Sequence, residues 1–164
     1  MTQAPGDAIL RAVEQNPLAV AMRGELWLYP AVEVLHITGF AILVGSVVMF
    51  DLRLLGLSPG LSARALARHL LPWSLAALLV IVPTGLLMFS AHASEFVDNR
   101  AFLLKITLLM LAATNAAAFH AGVFRSVARW DRDTAVPAGA KLHALASLAL
   151  WLGVITCGRL IAYV

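Results

Sequence analysis

Four long apolar runs constrain this chain more than any other feature of its sequence. They cover roughly Leu26–Phe50, His69–Ala91, Ala101–Phe124 and Ala140–Ala162. The hydrocarbon core of a bilayer is about 30 Å thick, and a helix needs about 20 mainly apolar residues to cross it. Each run meets that length, and 61% of all residues are hydrophobic. Soluble domains contain a smaller apolar share, so the sequence predicts an integral membrane protein.

The connections between the runs are short and rich in turn-forming residues. Ser62 is a suitable N-cap for the second helix, and Asp98 or Asn99 for the third. Helices joined by short links pack as antiparallel neighbours. The sequence therefore predicts an all-α fold, an integral membrane antiparallel four-helix bundle that occupies residues 26–164.

Residues 1–25 are expected to form a separate N-terminal segment that precedes the spans. Ile9, Leu10 and Val13 cluster within it, which predicts a short amphipathic helix at the membrane interface. A cleaved signal peptide is not expected, because the segment lacks the charged, apolar and small-residue regions of such a leader. It also contains the acidic residues Asp7, Glu14 and Glu25.

Basic residues in the loops predict the orientation. The loop between the third and fourth runs and the loop between the first and second are rich in arginine and lysine, whereas the remaining loop holds one arginine, Arg100. Basic loops stay in the cytoplasm. We therefore expect a multi-pass protein of the bacterial inner membrane with both termini in the periplasm. The basic loop residues are Arg53, Arg64 and Arg68, then Arg125, Arg129, Arg132 and Lys141.

Several function classes are disfavoured by the composition. The net charge is only +3 and no dense basic cluster alternates with aromatic residues, so nucleic acid is not an expected partner. Cys157 is the single cysteine, which excludes an intramolecular disulfide. No glycine-rich phosphate loop, nucleophile–base set or HExxH motif occurs in the sequence. The function classes that remain are those of integral membrane proteins.

Histidines near the predicted cytoplasmic side indicate a cofactor. His69, His120 and His143 lie on three different helices, and their positions predict that they converge at one depth. A membrane b-type haem takes two axial imidazoles that face each other at one level. His143 is the expected first ligand of the haem iron, with His120 ahead of His69 as the second. His92 ends the second run, where water can satisfy it.

A second polar cluster is expected near the periplasmic side. Glu33 and His36 share one helix face and are expected to point into the bundle, with Glu33 paired to Lys105 or Arg159. His36 could bind a second haem, with Met110 as a weak sixth ligand, or form a metal site with Glu33. A purely structural polar cluster is the alternative. Haem propionates could be received by the cations Lys105, Arg159 and Arg100.

Several stretches carry a resemblance that covers nearly the whole chain. They are "YPAVEVLHITGFAILVGSVVMFDLRLLGL", "LLPWSLAALLVIVPTGLLMFSAHA", "NRAFLLKITLLMLAATN" and "GRLIAY". Together they resemble a family of small, poorly characterised four-span bacterial membrane proteins. The Leu-His pair in the first run is also similar to copper-resistance D-type membrane proteins. The layout of histidines over four helices is similar to b561-type cytochromes, which implies haem b and quinone-linked electron transfer.

The leading hypothesis is a b-type haem-binding membrane protein that transfers electrons between a quinone or a partner protein and the outer compartment. Whether it acts as the oxidoreductase component of an enzyme is left open. One alternative is copper handling by methionines together with His36, His92 and Cys157. The other alternative is a non-catalytic membrane subunit of a larger complex. The chain could also form a homo-oligomer. The methionines concerned are Met49, Met88 and Met110.

Overall fold

The computed structural model describes residues 5–164, apart from the side chains of Pro5 and Asp7. This part of the chain contains seven α-helices, one 3₁₀ helix and no strand. The all-α prediction is confirmed. The α-helices are α1 (Pro5–Glu14), α2 (Pro17–Gly24), α3 (Leu28–Leu55), α4 (Ala63–Ala91), α5 (Ala93–Asp98), α6 (Arg100–Ala121) and α7 (Ala138–Leu160), and the 3₁₀ helix covers Val123–Arg129.

Four of these helices, α3, α4, α6 and α7, are long and apolar enough to cross a membrane. Two of them extend five or more residues beyond their predicted bounds. α3 continues past Phe50 to Leu55, and α4 begins at Ala63 rather than at His69. The sequence predicts Arg53 in a loop, yet Arg53 and its neighbour Asp51 are both helical and buried. For Arg53, hydrogen bonds to loop carbonyls make that burial possible.

The spans pack in the order α4–α3–α7–α6. α3 contacts α4 and α7, and α7 contacts α6. No Cα atom of α4 lies within 8 Å of a Cα atom of α6 or α7. α4 and α6 meet through side chains at one end, where the rings of Phe89 and Phe102 stack 5.7 Å apart. The expected four-helix bundle is therefore present, with a weaker seam between its second and third spans.

Small residues set the close contacts between the spans. A Cβ atom at Gly39 of α3 would lie 3.0 Å from the Ile81 side chain of α4. A Cβ atom at Gly153 of α7 would lie 3.0 Å from Leu108 of α6. Helices in membranes associate largely by such close packing. These two glycines therefore fix which faces of α3 and α7 meet their partners.

The end of the bundle that carries the two arginine-rich loops is here called the basic end. Asp131 lies there and caps α4. Its backbone carbonyl accepts from Ala63 N, and its carboxylate accepts from Arg64 N at 2.8 Å and from the Ser62 hydroxyl. Ser62 Oγ accepts from Ala65 N, which confirms its predicted role as N-cap. The first three free N–H groups of α4 are thus satisfied.

Arg53 joins the two loops at the basic end. Its guanidinium donates to the carbonyls of Leu61, Pro59 and Asp131 at 2.7, 3.0 and 2.9 Å. Gly56 ends α3 with φ of 112°, a left-handed conformation that glycine adopts without strain. An aromatic and aliphatic cluster fills the space beneath the loops. Its buried members are Leu54, Ala63, Phe119, Val127, Trp130, Val136, Ala140 and Ala144.

The opposite end, here called the terminal end, holds α1, α2, α5 and the C-terminus. Arg23 donates to Ala91 O at 2.7 Å and to Glu14 O at 2.6 Å. The Glu14 carboxylate accepts from the Ser94 hydroxyl and amide, and these bonds hold the pKa of Glu14 below its usual range. Residues 5–24 thus form two docked helices rather than the single predicted one. Exposed apolar side chains remain at this end, as an interfacial segment requires: Ile9, Leu18, Leu26 and Trp27.

Candidate functional site

The candidate site consists of polar side chains that lie between the spans rather than toward lipid. They form two groups, one around His143 in the half near the basic end and one around His36 in the half near the terminal end. His143 lies in the second turn of α7 and His36 in the third turn of α3. Helix geometry places the two histidines roughly 15 to 20 Å apart along the bundle axis.

His143 is held by an asparagine on the neighbouring helix. Asn115 Nδ2 donates to the His143 backbone carbonyl at 3.0 Å, and Asn115 Oδ1 lies 2.7 Å from His143 Nδ1. The first bond fixes the amide orientation, so Oδ1 accepts and Nδ1 carries the proton. His143 Nε2 is then left with a free lone pair. A metal-binding histidine is commonly oriented in this way by a second residue.

His36 is oriented by a threonine in a similar manner. His36 Nδ1 lies 3.0 Å from Thr84 Oγ1 of α4. The Thr84 hydroxyl has one proton, and it donates that proton to the carbonyl of Val80 at 2.6 Å or of Ile81 at 3.1 Å. Thr84 Oγ1 must therefore accept from His36 Nδ1–H, which again leaves Nε2 with a lone pair. Gly85 makes room, since a Cβ atom there would lie 3.1 Å from His36 Cε1.

Lys105 brings a positive charge to the group around His36. Its Nζ lies 3.8 Å from the position that a Cβ atom of Gly158 would occupy. The charged groups of Lys105 and Glu33 are both close enough to the His36 ring to interact with it electrostatically. Lys105 forms no ion pair with any described residue. The ammonium group thus lies partly buried among the spans without a neutralising anion from that part of the chain.

Asp51 and Ser147 face each other across α3 and α7 near the basic end. Asp51 is 5% exposed and Ser147 is 8% exposed. The Ser147 hydroxyl hydrogen-bonds the Asp51 carboxyl group, while Asp51 Oδ2 has no partner in the described part of the chain. A carboxyl oxygen is seldom left unpaired in a protein interior. This pair therefore belongs among the candidate functional groups.

The predicted convergence of three histidines is met only in part. His120 and His143 both contact the Phe119 ring, with centroids 5.3 and 5.8 Å from it. His69 is exposed on α4, and α4 has no backbone contact with α6 or α7. His120 is also exposed and packs on Phe124. His143 is the one of the three that lies between helices and has a fixed ring orientation.

The predicted partners of Glu33 are wrong. Glu33 is exposed and forms no ion pair with Lys105 or Arg159. Arg159 instead donates to the Tyr163 hydroxyl and lies over that ring. The reason is helix phase, because three residues are about 60° short of a full turn. His36 turns toward Thr84 of α4, and Glu33 lies at the exposed edge of the same face. The same reason separates Met110 from His36, since Met110 is 64% exposed on α6.

His92 lies at the end of the second span, as the sequence predicts. Its Nδ1 is 3.5 Å from the Glu95 carboxylate, and its ring meets the Tyr29 ring edge-on. Residues 5–164 contain no group of three or more histidine, cysteine, aspartate or glutamate side chains arranged to hold a metal ion. Within that range, His36 and Glu33 therefore do not belong to a larger carboxylate-rich centre.

Four residues of the candidate site were not predicted as site residues from the sequence. They are Asn115, Thr84, Asp51 and Ser147, and each is a polar residue inside a span. Polar side chains within membrane helices are uncommon enough to be treated as candidates. That signal could have found Asn115, which is the one amide side chain in the four spanning helices. Pairing it with His143 required knowledge of which helix faces meet.

Comparison with known proteins identifies a family but not an activity. A search of curated proteins and a search of solved structures both return no match to the chain. The similarity to b561-type cytochromes and to copper-resistance D-type proteins is therefore not shown. A protein-family model does match residues 27–164, which include all four spans. The chain belongs to DUF6644, a family of unknown function.

Proposed function

We propose that this chain is a b-type haem-binding membrane protein that takes part in electron transfer. The observation that supports this most strongly is the pair of bonds between Asn115 and His143. An asparagine that bonds both the backbone and the ring of one histidine fixes the tautomer that a haem iron requires. Haem, when bound, supplies reversible one-electron chemistry.

Two histidines support a haem at the basic end of the bundle, and one histidine supports a haem at the terminal end. At the basic end His143 is the anchoring ligand and His120 the second candidate. Both histidines contact the Phe119 ring, so a ligand that reaches both requires that ring to turn aside. At the terminal end His36 is the candidate ligand, and the ammonium group of Lys105 is suited to a propionate carboxylate.

The orientation and the partners are part of the same proposal. The arginine-rich loops at the basic end lie in the bacterial cytoplasm, and both termini lie in the periplasm. Two haem levels roughly 15 to 20 Å apart would place redox centres in both halves of the membrane. The redox partners are a quinone or a protein on one side and an acceptor on the other.

Copper handling is less well supported by the positions of its expected ligands. Met49 and Met110 are 58% and 64% exposed on the outer faces of their helices. Cys157 is buried beside Lys105, and an adjacent ammonium charge opposes cation binding. A copper site needs several such donors at one point. A role as a subunit of a larger complex is compatible with haem binding and needs no separate site.

Haem content tests the proposal. The full chain is produced in cells supplied with a haem precursor, purified in detergent, and assayed for haem and copper per protein molecule. His143→Ala should lose at least half of the bound haem, and His36→Ala should lose the remainder or shift its spectrum. His92→Ala is the matched control, because the His92 ring pairs with Glu95 of the short helix α5 at the terminal end, and it should retain the wild-type haem content.

Two results would contradict the proposal. One is a folded wild-type protein without haem. The other is haem content unchanged in both His143→Ala and His36→Ala. Copper bound in stoichiometric amount without haem would support the alternative function. Circular dichroism of each variant separates loss of ligand from loss of fold.

A further inference from the structure

Asp51 is a carboxylic acid enclosed at the basic end of the bundle with part of its hydrogen-bonding capacity unused. It lies in the last turns of α3 and is 5% exposed. Ser147 of α7 hydrogen-bonds the carboxyl group, and Oδ2 makes no hydrogen bond within residues 5–164. An enclosed polar atom without a partner destabilises a fold. This unfavourable free energy indicates that Oδ2 binds a ligand that the described part of the chain does not provide.

No cationic side chain within residues 5–164 forms an ion pair with Asp51. Arg53 is nearest in sequence, but side chains two positions apart on a helix point in different directions. Its guanidinium is directed to three loop carbonyls. The Asp51 carboxyl group is therefore buried beside a neutral hydroxyl, that of Ser147, and not beside a positive charge.

The neighbouring elements at the basic end hold other titratable and charged groups, and none of these forms an ion pair with Asp51. They are Arg64, Arg68 and His69 of α4, His120 of α6, Arg125 and Arg129 of the 3₁₀ helix, Asp131, Arg132 and Asp133 of the loop that follows it, and Lys141 and His143 of α7.

An enclosed carboxylate without a counter-charge is strongly disfavoured, whereas the protonated acid is neutral. We propose that Asp51 and Ser147 form a proton-binding site at the basic end of the bundle. The carboxyl takes up a proton from water on the side of the basic loops and returns it to that side. Asp51 lies four residues before the end of α3, so about 6 Å of helix separates it from those loops.

A proton fits this site better than a metal ion does. Alkaline-earth ions take six or more oxygen ligands, whereas Asp51 and Ser147 offer only their carboxylate and hydroxyl oxygens. The proposal does not depend on haem, because neither residue is a proposed iron ligand. Failure of one proposal therefore leaves the other standing.

Infrared spectroscopy of the purified full chain in lipid vesicles tests the site. Asp51 and Glu33 are the two carboxylic acids in the four spanning helices, so the assignment needs two variants. Wild type at neutral pH should show a carbonyl band of a protonated, shielded carboxylic acid. The band should disappear in Asp51→Asn and remain in Glu33→Gln. Ser147→Ala should shift its frequency, because one hydrogen bond to the acid is lost.

Proton exchange is measured on the same samples. The wild-type band should shift in heavy water and should lose most of its intensity, reversibly, when the pH is raised by about three units. A band that survives in Asp51→Asn would overturn the proposal, and so would a wild-type Asp51 that is ionised at neutral pH or never titrates. Loss of the band on adding sodium or calcium ions at constant pH would also overturn it, in favour of a cation. If Asp51→Asn fails to fold, the Ser147→Ala shift and the wild-type titration decide the matter.

Discussion

At the scale of single residues, the site depends on polar groups that fix one another inside an apolar bundle. Asn115 holds His143 through two bonds, and Thr84 holds His36 through one. Each partner determines which ring nitrogen carries the proton and which is free. The histidines themselves were visible in the sequence as ionisable residues within spans. Their partners were not, because Asn115 and His143 are 28 positions apart and meet only through the packing of α6 on α7.

Removal of the Asn115 amide should weaken the cofactor site while the fold persists. We expect Asn115→Ala to lower haem affinity about tenfold, the lower end of the effect of losing an orienting partner. Thr114→Ala is the control, because Thr114 is exposed and bonds only its own helix at Met110 O. Competition for haem with an apo-haem-binding protein measures both affinities. Equal affinities in the two variants would show that Asn115 does not position the ligand.

At the scale of helices, glycine contacts and caps decide how the spans meet. Gly39 is in contact with α4, whereas a Cβ atom added at Gly45 on the same helix would have no neighbouring side chain or helix within 4 Å. The number of spans, the Ser62 and Asn99 caps and the all-α fold could be predicted from the sequence. The end of α3 and the start of α4 could not, since Arg53 and Asp131 satisfy groups that a sequence alone leaves unpaired.

The two glycines of α3 give a matched pair of variants. Gly39→Leu should reduce the stability of the protein by about 1 to 3 kcal/mol, because the added side chain overlaps Ile81. Gly45→Leu should leave stability within about 0.5 kcal/mol of wild type. Reversible unfolding in mixed detergent, followed by tryptophan fluorescence, measures both. A smaller loss for Gly39→Leu than for Gly45→Leu would contradict the α3–α4 packing.

The cap on α4 should make stability depend on pH. The Arg64 backbone amide holds the pKa of Asp131 below its usual range, with further contributions from Ser62 and nearby arginines. A carboxylate with a lowered folded pKa stabilises the protein above its unfolded pKa of about 3.9. That stabilisation is lost as the pH falls through the folded value.

Asp131→Asn should therefore cost about 1 kcal/mol at neutral pH, because hydrogen bonds to a charged acceptor are replaced by bonds to a neutral amide oxygen. The cost should be smaller at about pH 3, measured as the midpoint of thermal unfolding. Asp133→Asn, in the same loop, is the control and should follow the wild-type curve. A constant difference between Asp131→Asn and wild type over the whole pH range would exclude a charged cap.

At the scale of the whole molecule, the two ends of the bundle differ in charge and in the elements that close them. The basic end is closed by Arg53, Asp131 and an aromatic cluster, and the terminal end by α1, α2 and α5. The sequence predicts the arginine-rich loops at the basic end and a helix within residues 1–25. It does not predict the order α4–α3–α7–α6, because similar apolar faces on four helices leave several neighbour arrangements open.

Compartment labelling tests the direction. In a Cys157→Ala background, single cysteines at Ser58 and at Tyr163 are treated with a membrane-impermeant thiol reagent on intact bacterial cells. Tyr163→Cys should react at the cell surface after outer-membrane permeabilisation, and Ser58→Cys only after lysis. The reverse pattern would place the arginine-rich loops outside and overturn the proposed orientation.

Haem binding underlies the proposed function, and the reduced-minus-oxidised visible spectrum of the wild-type protein shows whether haem is bound. The protein is purified from haem-sufficient cells and reduced with dithionite. We expect a Soret band and a sharp reduced α-band of the b type, with haem bound at one or two per chain. A folded, monodisperse and colourless protein under the same conditions would contradict it.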